Sequence, residues 1–107
     1  MTRALVHMPA AARRGAVIEI RALLAHPMET GYRPGADGKV LGRDIIRRFT
    51  CRYNGEIVFA AELQQAIAAN PYIAFYTLAL DSGSLEFTWQ GDRGFLHVER
   101  MPLTVTG

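Results

Sequence analysis

From residue 16 the chain reads AVIEIRALLAH, and its positions alternate: Ile18, Ile20, Ala22 and Leu24 fall on one side, Glu19, Arg21 and Leu23 on the other. A period of two is that of a strand with one buried face. Before it, RALVHM at 3–8 is short and rich in strand formers, and Pro9 with the Ala and Arg residues that follow closes it. RDIIRRFTCRYN at 43–54 alternates again, with Ile45, Phe49, Cys51 and Tyr53 on one parity and Ile46, Arg48, Thr50 and Arg52 on the other. Asn54-Gly55 then predicts a two-residue hairpin, because both positions tolerate positive φ. EIVFAAEL at 56–63 is expected to return antiparallel to the segment before it.

QQAIAAN at 64–70 is the one helix-prone piece, stopped at Asn70 before Pro71. YIAFYTLALD at 72–81 reads as a strand that is apolar on both parities. Tyr72, Ala74, Tyr76, Leu78 and Leu80 form the more continuous side and are assigned to the core. Ile73, Phe75 and Ala79 are then expected to face outward, with Ile73 and Phe75 as an apolar patch that a partner covers. SLEFTWQ at 84–90 is a strand with Leu85, Phe87 and Trp89 inward, flanked by the turns SGS and GDRG. In FLHVERMPLTVT at 95–106, Leu103 and Val105 oppose Leu96 and Val98 in parity, so a bulge is expected near Met101-Pro102. About seven short strands with almost no helix predict an immunoglobulin-like antiparallel β-sandwich, a single domain over 1–107.

A chain of 107 residues buries only about two-thirds of its unfolded surface, which leaves little room for a deep cavity. Half its residues are apolar and the formal net charge is +2. The Arg residues alternate with acids rather than gathering on one segment, which argues against nucleic acid. Cys51 is the single cysteine, so an intrachain disulfide is excluded. ALVHMPAAA is too short for a signal core and is broken by His7 and Pro9. The run after Arg13-Arg14 carries Glu19 and Arg21. No uncharged stretch is long enough to span a membrane, and on its own the chain reads as cytoplasmic.

Candidate chemistry is sparse. A blue-copper site needs two His, a Cys and an axial Met, with Cys, His and Met close together on one late loop. After Cys51 no His occurs until His97. An iron site of four His and one Cys fails by count, since only His7, His26 and His97 exist. The parity of Cys51 with Phe49 and Tyr53 predicts an inert buried thiol. Arg48 and Arg52 share the outward parity of their strand with Thr50, as a solvated face or a docking patch. His26 stands where a strand gives way to HPMETGYRPGADGK, a long segment rich in Gly and Pro. No carboxylate pair or Ser accompanies it at a catalytic spacing.

Four runs, IEIRALLAHPMETGYRPGADGK, RDIIRRFTCRYNGE, AIAANPYIAF and SGSLEFTWQGDRG, together resemble the SoxZ family, the smaller subunits of the SoxYZ sulfur carriers of bacterial thiosulfate oxidation. The likeness runs from about Arg3 to Thr106, and AHPMETG with RFTCRYNGE makes it specific. The resemblance implies an immunoglobulin-type sandwich with no catalytic residue and no cofactor, in a heterodimer with SoxY. The partner carries the covalently loaded cysteine on a Gly-rich arm that visits other Sox enzymes in turn. It also implies a periplasmic location, reached by co-export with a signal-bearing SoxY. This chain ends at LTVTG without such an arm, in keeping with the smaller subunit. Within that frame His26, Pro27, Met28, Glu29, Thr30 and Gly31 are expected to shape a recognition surface. Ile73 and Phe75 are expected to meet SoxY. The alternative is a stand-alone metal-binding or redox β-sandwich built on His26, Met28 and Cys51.

Overall fold

The computed structural model describes residues 3–26, 28, 44–63 and 71–107. They form strands β1 (Arg3–His7), β2 (Ala11–Arg13), β3 (Val17–Ala25), β4 (Ile46–Tyr53), β5 (Glu56–Glu62), β6 (Tyr72–Leu78), β7 (Gly83–Gly91) and β8 (Leu96–Thr106). A three-stranded sheet, ordered β1-β3-β6, packs on a five-stranded sheet ordered β2-β8-β7-β4-β5. This is the expected β-sandwich, with eight strands rather than about seven. The additional one is β2, which reads in sequence as the close of β1. Residues 3–13 pass from one sheet to the other, because β1 pairs with β3 and β2 pairs in parallel with β8.

Alternation in β3 places Ile18, Ile20, Ala22 and Leu24 against the opposite sheet, where Phe49, Cys51, Leu85, Phe87, Trp89 and Leu103 complete the core. Asn54 and Gly55 both take positive φ, 49° and 88°, and close the β4–β5 hairpin as expected. The 64–70 helix-prone segment lies outside the described residues.

Three expectations are corrected. β6 is inverted: Phe75 is 5% exposed and Ala79 is fully buried, whereas Tyr72, Tyr76, Leu78 and Leu80 are exposed. The physical reason is register. Ile18, Ile20 and Ala22 of β3 stand directly opposite Thr77, Phe75 and Ile73, and directly paired residues share a face of the sheet. With Ile73 half-buried against the core as well, the partner patch assigned to Ile73 and Phe75 does not exist as a surface.

The bulge placed near Met101-Pro102 is absent, and β8 pairs with β7 without a shift from Leu103 to Leu96. Thr104 donates its N–H to Ala10 on the side away from β7, so by alternation Pro102 points its missing donor to that same side, beyond the reach of β2. Bulges occur in β4 and β5 instead. Between Ile46 and Arg48 the β7 partner steps only from Gly91 to Gln90, which leaves Arg47 unopposed and turns both Ile45 and Ile46 inward. Between Cys51 and Arg52 the partner steps from Phe59 to Ile57, which leaves Val58 extra.

Candidate functional site

The segment singled out in the sequence leaves the sandwich where β3 ends and re-enters at β4. Its root is tightly held. His26, 6% exposed, accepts a hydrogen bond at Nδ1 from the N–H of Met28 at 3.0 Å. Its Nε2 lies 3.8 Å from Asp44 Oδ1, and Phe95 meets the ring edge-on with centroids 5.3 Å apart. Met28 has φ of 53° and is 4% exposed, and its sulfur accepts the N–H of Ile46 at 3.2 Å. A left-handed backbone at a bulky residue persists only where the surroundings fix it, as the imidazole and the core do here.

The β7–β8 turn clamps the re-entry point. Asp92 accepts from Ile45 N–H at 3.2 Å through Oδ2 and donates its own N–H to the Ile45 carbonyl at 3.0 Å. Gly91 is required beside it, since a Cβ there would lie 2.6 Å from that carbonyl oxygen. His26 and Met28 are therefore buried anchors and present no side chain to a partner. Pro27, Glu29, Thr30 and Gly31 lie outside the described residues.

Cys51 is fully buried, and burial pushes its thiol up to about 12. The structure thus places it where parity put it, away from solvent. Among the described residues no three His, Cys, Asp or Glu side chains gather where they could hold a metal ion. No helix among them is long and apolar enough to cross a membrane. The buried indole N–H of Trp89 is the one buried side-chain polar atom without a hydrogen-bond partner among the described residues.

The two outer faces of the sandwich differ in chemistry. On the five-stranded sheet, Arg48 pairs with Glu62 and Arg100 with Glu86, and the Thr50–Thr88 pair between those rows is buried. The Arg48 and Arg52 row of the sequence is part of that solvated face. On the three-stranded sheet, the outward side chains fall in five rows across the strands. One row holds Leu5, Leu23 and Tyr72, and another holds Val17 and Leu78. Between them Glu19 accepts from Arg21 at 2.8 and 3.0 Å and from the Tyr76 hydroxyl at 3.1 Å. These bonds, first that from Arg21 and then that from Tyr76, hold the Glu19 carboxyl below its usual range.

Sequence reasoning missed this surface because it counted the tyrosines as core. The signal that marks them is the phenol, which needs a polar partner when packed. Glu19, on the polar parity of β3, supplies it for Tyr76.

Comparison with known proteins adds the family. Searched against curated protein sequences, the chain finds no match. Among solved structures it is similar to the superoxide reductase (neelaredoxin) of Ignicoccus hospitalis, with a TM-score of 0.75 and 17% identity over 98% of this chain and 82% of that one. It is also similar to the sulfur carrier protein SoxY of Chlorobium limicola f thiosulfatophilum, with a TM-score of 0.66 and 12% identity over 97% of this chain and 79% of that one. Identities this low carry the fold alone. The description "Sulphur oxidation protein SoxZ" matches residues 6–102, nearly the full length, and the chain belongs to the SoxZ family.

Proposed function

We propose that the chain is the noncatalytic subunit of a SoxYZ-type sulfur carrier, supporting a SoxY-type partner that bears the covalently loaded cysteine during thiosulfate oxidation. The observation that carries this reading is the SoxZ match over residues 6–102. The state of the lone thiol supports it. A sulfur carrier needs a thiolate that reagents can reach, and Cys51 is buried with its proton held to a pH of about 12. The load therefore rides on the partner. In this reading the complex works in the periplasm, reached together with the partner. The segment beginning at His26 contributes a recognition surface of the carrier complex.

The test is reconstitution. The chain and the SoxY of the same organism, produced together, are expected to purify as one complex and to support thiosulfate oxidation with the other purified Sox enzymes. Cys51→Ala is expected to do the same. A thiosulfate-dependent mass increase on Cys51, or failure of the two chains to associate, would overturn the proposal.

A further inference from the structure

The three-stranded sheet leaves an apolar outer face that the sandwich itself does not use. Leu5 is 61% exposed, Val17 66%, Tyr72 58%, Tyr76 64% and Leu78 48%. Each tyrosine thus leaves on the order of 100 Å² open, and the three aliphatic side chains add comparable areas. Together they present on the order of 400–500 Å², a large share of the ~800 Å² that each partner contributes to a stable interface. The charges in the middle of the face would enter an interface as a bonded pair rather than singly, because Glu19 is already bonded to both Arg21 and Tyr76.

A second observation concerns β6, the edge of this sheet. It is seven residues long, pairs with β3 without a bulge, and contains no charged residue or proline. Exposed edges are ordinarily protected by such devices. The other sheet shows them: its edge strand β5 carries Glu56 and Glu62 and a bulge at Val58. Among the described residues no strand pairs with the free side of β6.

We propose that this face, from Leu5 across to Tyr72, Tyr76 and Leu78 with Val17, is the docking surface for the SoxY-type partner. The assignment rests on the function proposed above and adds the location. A face of regular side-chain rows is complementary to another sheet, packed face to face at about 10 Å so that the rows interdigitate. SoxY has the same sandwich fold and so offers sheets of matching dimensions. The charged lattice of Arg48, Glu62, Glu86 and Arg100 on the opposite face stays in water.

Isothermal titration of the chain with the separately produced SoxY of the same organism tests this. Tyr76→Asp and Leu78→Asp are each expected to weaken binding at least tenfold, with melting curves like that of the wild type because both positions are exposed. Ile57→Asp, on an exposed position of the other sheet, is expected to change it less than threefold. Face variants that bind within threefold of the wild type would overturn the location and leave the proposed function standing. A wild-type chain that does not bind SoxY would overturn both. Sedimentation of the chain alone separates the remaining case. A homodimer that Tyr76→Asp dissolves while SoxY binding persists would assign the face to a second copy and overturn the proposal.

Discussion

The rings of Phe59 and Phe75 lie parallel, 8° apart in plane and 4.3 Å between centroids, and they tie the edge strand of one sheet to the edge strand of the other. Phe49 closes on Phe75 edge-on from within the core at 6.0 Å. Phe75→Ala is expected to destabilise the fold by about 3–5 kcal/mol, through lost burial and the cavity left behind. The neighbouring exposed Tyr76→Ala is expected to cost less than about 1 kcal/mol. Urea denaturation of the two variants checks the contrast, which follows from the face that β6 turns inward.

Cys51 carries a pH dependence whose sign is fixed. Its thiol titrates at about 12 in the folded state against 9.0 in the exposed state. Between those values the unfolded chain has lost the proton that the folded chain retains. Stability is therefore expected to fall as pH rises above about 9, by up to about 1.4 kcal/mol per pH unit from this group. Cys51→Ala is expected to remove that component, seen as a shallower decline in denaturation midpoints between pH 9 and 11. In the folded protein a thiol reagent at pH 8 is expected to label Cys51 only at the rate of unfolding.

Met28 is expected to behave as a core residue. Met28→Ala should cost about 2–5 kcal/mol by loss of buried volume. Met28→Leu keeps the volume and removes only the sulfur that accepts the Ile46 N–H, so about 1 kcal/mol is expected. Equilibrium unfolding in urea distinguishes the two. His26→Phe keeps a ring beside Phe95 but strands the Met28 N–H, and about 1–3 kcal/mol is expected from that unmet donor.

At the opposite end of β4, the Tyr53 hydroxyl accepts the N–H groups of Leu80 and Asp81, each at 3.1 Å, and donates to the Asp81 carbonyl. One phenol thus satisfies three backbone groups where β6 gives way to β7. Tyr53→Phe is expected to cost about 1–3 kcal/mol and to raise amide exchange at Leu80 and Asp81, measured by hydrogen exchange with mass spectrometry.

Much of the sandwich could be read from alternation alone. β3, the Asn54-Gly55 hairpin and the inward set Leu85, Phe87 and Trp89 stand where a period of two put them, because one face of each strand is apolar and the other is not. β6 gave no such contrast. With both parities apolar, only its register against Ile18, Ile20 and Ala22 decides which side is the core, and register is a long-range property. The same holds for Ile46, whose burial depends on an unopposed Arg47. The three residues of β2 carry no pattern of their own and become a strand because β8 offers an edge. Of the candidate site, sequence found the segment that starts at His26 but not that His26 and Met28 are its buried roots. The outward tyrosines were hidden by treating an amphipathic ring as wholly apolar.

The parallel pairing of Ala11–Arg13 with Thr104–Thr106 joins strands more than ninety positions apart. Such a contact cannot form until β8 has been made, so the five-stranded sheet stays open at that border until then. Closure of so long a loop carries a large entropic barrier, and folding dominated by distant pairings is slow. The newly made chain therefore passes through a period with β8 incompletely flanked and the outer rows of β1, β3 and β6 still bare. Simultaneous synthesis of a binding partner would shorten that exposure, and yield on expression alone against expression together would report it.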